Sequence, residues 1–578
     1  MGLARYMVKK SVEQIQSEST SLGLKRTLGK WNLVSLGIGC IIGAGIFVMT
    51  GRAAAEHAGP ALVYSFIFTG IACGFVGLCY AELASVLPIS GSAYTYAYAT
   101  LGEVLAWTMG WLLVLEYGVA ASTVAVGWSG YINSFLLGFN IVIPPELTVA
   151  YGDVVPVNSV YQSIFSNLGY SFNDNNYLVA ASGELVRGVF NLPAFLGVTL
   201  VTILLVIGVS ESAKVNNIIV AIKTTVVVMF VVIGFFYVDT HNWTPFIPEN
   251  EGPGRYGWDG IFRAAGIIFF AYVGFEAVST AAQEAKNPQK DMPFGILGSL
   301  FICTLLYMAT SAVLTGIVPY TDLNVPDPMA VAVDHIGLGW FAFLIKVGAL
   351  TGLTSVMLVL LYGQTRIFYI MSADGLLPPS FSKIHPRFKT PYINTILIGG
   401  IVAVAAGMTP ISLLGDLVSL GTLLAFIIVC FSVYYLRKKQ PDLARPFRTP
   451  WVPVVPLLGV LTCGYLIVTM FISIQSFDEA YYVGHHPEVQ QMVSEGKYAT
   501  PLDHFLTAGQ EEKDFKAWMP FDPEHPENAK SNVVLKPSGR EILIYIPPYV
   551  LLGALIYIFY SRRNSKLGQE FAAANKAA

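Results

Sequence analysis

The chain is 578 residues long, 54% hydrophobic and only 12% charged, with a formal net charge of −3. About a quarter of the residues in soluble domains are charged, so a string of soluble domains is excluded and a polytopic, all-α membrane protein is expected. No nucleic-acid partner is expected. All six cysteines (40, 73, 79, 303, 430 and 463) fall inside apolar segments, which leaves no disulfide framework, thiolate metal site or other cofactor in view.

Apolar runs of about 20 residues, long enough to cross a bilayer, begin near Trp31, Pro60, Gly102, Arg187, Lys214, Asp259, Pro293, Gly337, Pro391, Ile411, Trp451 and Glu541. These about twelve spans divide the chain. Residues 1–30 form a polar tail with no signal-peptide pattern, and 31–436 form a core of ten spans. Residues 138–186 form an external loop between spans three and four. Spans eleven and twelve occupy 451–561, separated by a second external loop at 477–540, and a tail occupies 562–578. Lys383, Arg387 and Lys389 lie between spans eight and nine; Arg437, Lys438, Lys439, Arg445 and Arg448 lie between ten and eleven. Cytoplasmic loops carry the excess of Lys and Arg, so both termini are expected inside, in the cell membrane.

Span one contains G-I-G-C-I-I-G-A-G-I-F-V-M-T-G from Gly37 to Gly51. Its glycines loosen a helix, and freed backbone groups in lipid must be satisfied by protein, water or ligand. Two readings stay open here: close packing through the small pair Gly39 and Gly43, or a helix broken in mid-membrane. A break offers carbonyls from one half and amides from the other, suiting an ammonium and a carboxylate. Span six repeats the theme, with Gly274 followed by Glu276 inside I-I-F-F-A-Y-V-G-F-E-A-V-S-T-A-A-Q-E. Interrupted spans at matching places in two halves point to a transporter site between inverted repeats, here spans one to five and six to ten.

Three charges lie deep in apolar runs. Glu116 is about 14 residues into span three, Lys223 about nine into span five, and Glu276 just past the glycine of span six. Each costs at least about 2.5–3.5 kcal/mol at a helix centre, so each should face protein or a wet cavity. Lys223 and one glutamate can be a fixed ion pair. Alternatively, burial disfavours the charged ammonium, so Lys223 can gain and lose a proton during work. It would then bond the freed carbonyls of span one around Gly39 and the hydroxyls of Thr354 and Ser355 in span eight. Those hydroxyls can equally bond their own helix.

Four stretches together resemble the cationic amino acid transporter subfamily of the amino acid–polyamine–organocation superfamily, especially its bacterial members. They are G-I-G-C-I-I-G-A-G-I-F, Y-A-E-L-A-S-V-L-P-I-S-G-S-A-Y-T-Y at 80–96, F-F-A-Y-V-G-F-E-A-V-S-T-A-A-Q-E-A-K-N-P-Q-K-D-M-P at 269–293, and Y-G-Q-T-R-I-F-Y-I-M-S-A-D-G-L-L-P at 362–378. The resemblance implies the leucine-transporter-like fold: a 5+5 inverted repeat with helices one and six broken and two extra helices, working by alternating access. It implies that a substrate carboxylate meets amides at Gly43, Ala44 and Gly45, and its ammonium the carbonyls around Ile41, Phe270, Ala271 and Val273, with Phe270 as outer gate. Lys223 matches the lysine that replaces sodium in proton-coupled members, and Glu116 an acid near the substrate side chain. Animal members carry Asp where this chain has Glu276, which weakens any transfer of strict arginine and lysine specificity.

The expected function is proton-coupled uptake of neutral or cationic L-amino acids, with membrane lipid around the chain and the proton gradient as driving force. Exchange of one amino acid for another, or sensing without flux, are the alternatives. No metalloprotease H-E-x-x-H, paired Ser and His at one depth, or phosphate-binding glycine loop suggests an enzyme. Whether a small membrane subunit joins the chain is not readable from the sequence.

Overall fold

The computed structural model describes residue 9, residues 28–87, 92–157, 161–173, 177–208, 213–251, 254–282, 284–476, 483, 487–495, 497, 504, 533–537 and 540–570. Nearly all of the 1–30 tail, most of the 477–540 loop and the end of the 562–578 tail therefore lie outside the described residues. Long helices dominate, since in lipid a helix satisfies its own backbone. They are α1 (Lys30–Ile41), α2 (Leu62–Val86), α3 (Glu103–Leu137), α4 (Leu192–Ile207), α5 (Ala213–Gly234), α6 (Gly257–Ile267), α7 (Pro288–Ile317), α8 (Gly339–Ala373), α9 (Tyr392–Met408), α10 (Ile411–Lys439), α11 (Val454–Phe471) and α12 (Arg540–Ile556). Among the described residues, nine helical runs are long and apolar enough to cross a membrane, and α4 and α9 are shorter apolar helices. One of the nine, Gly45–Val86, turns back at Gly59, whose φ of +56° suits glycine.

Helices five places apart in chain order pack together: α2 on α7, α3 on α8, and α4 on α9. Small residues permit the approach. A Cβ on Gly399 of α9 would sit 2.2 Å from Thr202 Oγ1 of α4. At the far end of α2, Glu82 is fully buried. It accepts from Arg437 Nε at 2.7 Å and the Thr449 amide at 2.8 Å, with Arg445 Nε 3.3 Å away. The sequence places Glu82 near a basic loop, and the structure makes it the anchor of that loop.

The segment 138–186, which reads as a polar loop, carries a small core of its own. Val155, Val157, Tyr161, Phe165, Leu178 and Val186 pack together, and β1 (Ser171–Phe172) pairs antiparallel with β2 (Leu178–Val179). Buried Lys346 of α8 ties this lobe down, donating to the Tyr161 hydroxyl and to Asp334 Oδ2 at 3.0 Å. Beyond α11, β3 (Ile472–Ser476) pairs antiparallel with β4 (Val533–Pro537), in the register Ile472 to Pro537, which draws the feet of α11 and α12 together.

Candidate functional site

Two interrupted helices meet at the centre of the bundle. The first, α1, ends at Ile42, whose ψ of 97° leaves the helical region. Helix resumes at Gly45, and its first backbone bond, Phe47 N to Gly43 O at 3.2 Å, leaves the amides of Gly43, Ala44 and Gly45 ahead of it. The second, α6, tightens over Ile268–Tyr272 and breaks at Val273 (ψ 129°) and Gly274 (φ +120°), resuming at Glu276. The breaks lie back to back. A Cβ on Gly45 would be 2.2 Å from Ala271 Cα, and one on Gly274 2.7 Å from the Cys40 carbonyl carbon. Those two glycines are required by proximity, whatever else they do.

Lys223 of α5 is fully buried; its Nζ donates to the Gly39 carbonyl and, at 3.0 Å, to the Ile42 carbonyl. Those are the carbonyls that the end of α1 leaves without helical partners. The Thr354 hydroxyl donates to Leu350 O of its own helix at 2.7 Å, which leaves its oxygen able to accept, and Ser355 is buried beside it. Tyr307 of α7 bridges the two breaks, its hydroxyl lying 2.7 Å from Ile41 O and 2.9 Å from Ala271 O. The sequence reading missed Tyr307, because a tyrosine in an apolar run carries no signal of what it faces. Two of the four carbonyls named for a substrate ammonium, those of Ile41 and Ala271, thus share their lone pairs with a phenol. Phe270 and Val273 are buried alongside.

Glu276 turns its carboxylate back onto the break, accepting from the Gly274 amide at 2.9 Å, with the Tyr117 hydroxyl 3.4 Å away. Glu116 sits beside it in a widened turn of α3, Val114–Val119, of the kind that re-aims side chains at functional positions. Glu116 is fully buried against the Glu276 carboxyl, and among the described residues neither of its oxygens has a donor from any other group; both amide atoms of buried Gln364 on α8 likewise lack a partner there. Buried polar atoms are normally paired, so the Glu116 and Glu276 carboxyls, with the Tyr117 hydroxyl beside them, form a place that can receive something polar. Lys223 pairs with neither glutamate among the bonds described, being turned to the α1 carbonyls instead. Farther out, Arg263 of α6 meets Asp416 of α10 at 3.3 Å, both nearly buried, an ion pair across the outer end of the bundle.

Paired helix breaks holding oriented carbonyls and amides, within a bundle of membrane-length apolar helices, are the arrangement of a transporter site. Comparison with known proteins places it more closely. A profile of the amino acid permease family matches residues 28–483. The methylthioribose transporter of Bacillus subtilis is 45% identical over 462 residues, and the branched-chain amino acid permease BcaP of the same organism 46% over 464; each alignment covers 80% of this chain and 92% of the relative. The vacuolar cationic amino acid transporter 4 of Arabidopsis thaliana is 38% identical over 420 residues, 72% of this chain and 64% of the relative. The chain belongs to the amino acid permease family, within the amino acid–polyamine–organocation superfamily: a multi-pass membrane transporter, not an enzyme.

Proposed function

We propose that the protein takes up L-amino acids across the cell membrane by proton-coupled alternating access, on a 5+5 inverted repeat of twelve spans with both termini in the cytoplasm. The observation that carries the coupling is the buried Lys223 ammonium on the carbonyls of Gly39 and Ile42. Charged, it completes the broken end of α1 and holds it against α5. Neutral, it keeps two N–H donors but loses the positive charge that strengthens both bonds, and the inner half of span one is freed to swing. The packing of α2 on α7, α3 on α8 and α4 on α9 supports the inverted repeat.

The substrate main chain lies between the breaks, with its carboxylate at the amides of Gly43, Ala44 and Gly45 and its ammonium toward Ile41, Phe270, Ala271 and Val273. Its side chain reaches toward Glu116 and Glu276. The named relatives are a methylthioribose transporter, a branched-chain amino acid permease and a cationic amino acid transporter, and the buried carboxyls of Glu116 and Glu276 favour a substrate that brings a donor. The test is uptake of labelled leucine, alanine, arginine and lysine into proteoliposomes under an imposed proton gradient, with unlabelled methylthioribose as a competitor. Accumulation into empty vesicles that collapses with the gradient supports the proposal. Uptake only into amino-acid-loaded vesicles replaces it with exchange, binding without flux with sensing, and block by methylthioribose alone with a thioribose carrier.

A further inference from the structure

The Glu116 and Glu276 carboxyls lie in hydrogen-bond contact with each other. Two ionised carboxylates have only acceptors to offer, so a bond between them needs a proton. The donors around the pair say which carboxyl carries it. Glu276 accepts from the Gly274 amide through both oxygens, at 2.9 and 3.1 Å, and has the Tyr117 hydroxyl at 3.4 Å. Donors converging on both oxygens are the setting of an ionised carboxylate. Glu116, fully buried, receives no donor from any other group among the described residues. Glu116 is therefore the acid of the pair, its O–H donating to Glu276, and the two carboxyls together hold one proton and one negative charge.

The contacts described from the other elements around the pair are uncharged. Tyr80 of α2 is close to both carboxyls and Cys73 of α2 to Glu276, a phenol and a thiol whose ordinary values lie above neutral pH. The other helices meet the widened turn of α3 through small or apolar groups. A Cβ on Gly363 of α8 would be 3.3 Å from Tyr117 Cδ1, one on Gly118 3.8 Å from Val402 Cγ2 of α9, and one on Gly421 of α10 2.5 Å from Leu115 Cβ. Removing the shared proton alone would bury a second, uncompensated negative charge, which is costly. Removing it as a cation arrives leaves the buried total unchanged.

We infer that the Glu116–Glu276 pair exchanges its shared proton for the cationic side chain of a bound amino acid, and keeps that proton when the side chain is neutral. The O–H bond of Glu116 breaks, the proton passes to water in the solution that the site faces, and an ammonium or guanidinium takes its place between two carboxylates. Nothing is oxidised or reduced. The inference rests on the carrier reading above and adds the pair to Lys223 as a second proton-binding group. Neutral substrates cross with the pair protonated and cationic ones with its proton gone, so one pocket serves both at the same buried charge. Each arginine or lysine then moves inward with one proton fewer than a leucine.

Titration calorimetry of the purified full-length protein with L-leucine and with L-arginine, each in two buffers of different ionisation enthalpy, counts the protons released on binding. Arginine should release about one proton more than leucine; any proton moved by Lys223 is common to both and drops out of the difference. The affinity for arginine should rise about tenfold per pH unit relative to that for leucine across the neutral range. In infrared difference spectra arginine, and not leucine, should bleach a protonated-carboxyl C=O stretch. Glu116→Gln keeps a donor but has no proton to lose, so it should abolish the extra proton. Equal counts for the two amino acids, failure of arginine to bind where leucine binds, or an extra proton that survives Glu116→Gln overturns the exchange and leaves the carrier reading intact. If arginine alone binds, its count in the wild type against that in Glu116→Gln decides by the same criterion. Should the variant fail to fold, the infrared band of the wild type decides, and its absence on arginine binding overturns the exchange. Binding of neither amino acid overturns the carrier reading as well.

Discussion

Gly45 offers the most direct check on the idea that two breaks must touch. A Cβ there would lie 2.2 Å from Ala271 Cα and 2.4 Å from Ala271 Cβ. Carbon atoms rest at about 3.5–4.0 Å, so Gly45→Ala requires the backbone of span six at Ala271 to retreat by roughly 1.3 Å or more. The obstacle is backbone, which cannot rotate away. Overpacking costs about 1–3 kcal/mol, and here the upper end applies. Three kcal/mol against the state in which the breaks are apposed lowers its population about 100-fold. Two comparisons calibrate the effect. At Gly39 the added carbon meets only the Val220 Cγ2 methyl, at 2.5 Å, and at Gly74 nothing lies within 4 Å. Uptake in proteoliposomes should therefore fall in the order Gly74→Ala, Gly39→Ala, Gly45→Ala, with the last close to background while the detergent-purified protein remains monodisperse. If Gly45→Ala transports as fast as Gly74→Ala, the apposition is not needed for turnover and the argument fails.

Lys223→Ala should abolish gradient-driven accumulation while amino acid binding survives; pH-dependent uptake equal to the wild type would remove the lysine from coupling. Glu116→Gln should weaken uptake of arginine more than that of alanine, and equal losses would make Glu116 a packing or conformational residue. Glu82→Ala strips the partner from Arg437 and Arg445; removing one member of a buried ion pair costs about 3–5 kcal/mol, so thermal unfolding should show a loss of that order, and a change within error would refute the anchor. Asp327, in the turn before helix Pro328–Ile336, is buried, which pushes its carboxyl up from 3.8 to about 6 despite Ser134 and Lys346 nearby. A carboxyl with a raised folded-state value favours folding when protonated, so its contribution is present below about pH 4 and lost as pH rises through 6, by up to roughly 3 kcal/mol. Asp327→Asn should stabilise the protein at pH 7 and flatten that part of its pH profile; an unaltered profile would show that Asp327 does not titrate there.

Much of this architecture is written locally. Apolar runs report spans because a bilayer imposes length and composition on whatever crosses it, and the run starts near Trp31, Asp259 and Gly337 fall close to α1, α6 and α8. The interruption of span one was legible because four glycines crowd a segment that has every other reason to be a helix. Lys223, Glu116 and Glu276 stood out for the opposite reason, as charges that lipid cannot tolerate.

What those residues face is another matter, because partners hundreds of residues away leave no mark on a segment's own composition. That Lys223 turns to the carbonyls of Gly39 and Ile42 is settled by how α5 packs against α1. The Tyr307 bridge, the Arg263–Asp416 pair and the small core inside 138–186 are of the same kind. The sequence alone determined a multi-pass helical carrier with two weakened spans and three buried charges, since hydropathy and glycine content act within one segment. Only the tertiary structure decided which charge meets which carbonyl and which carboxyl meets which, since those depend on how separate helices are brought together.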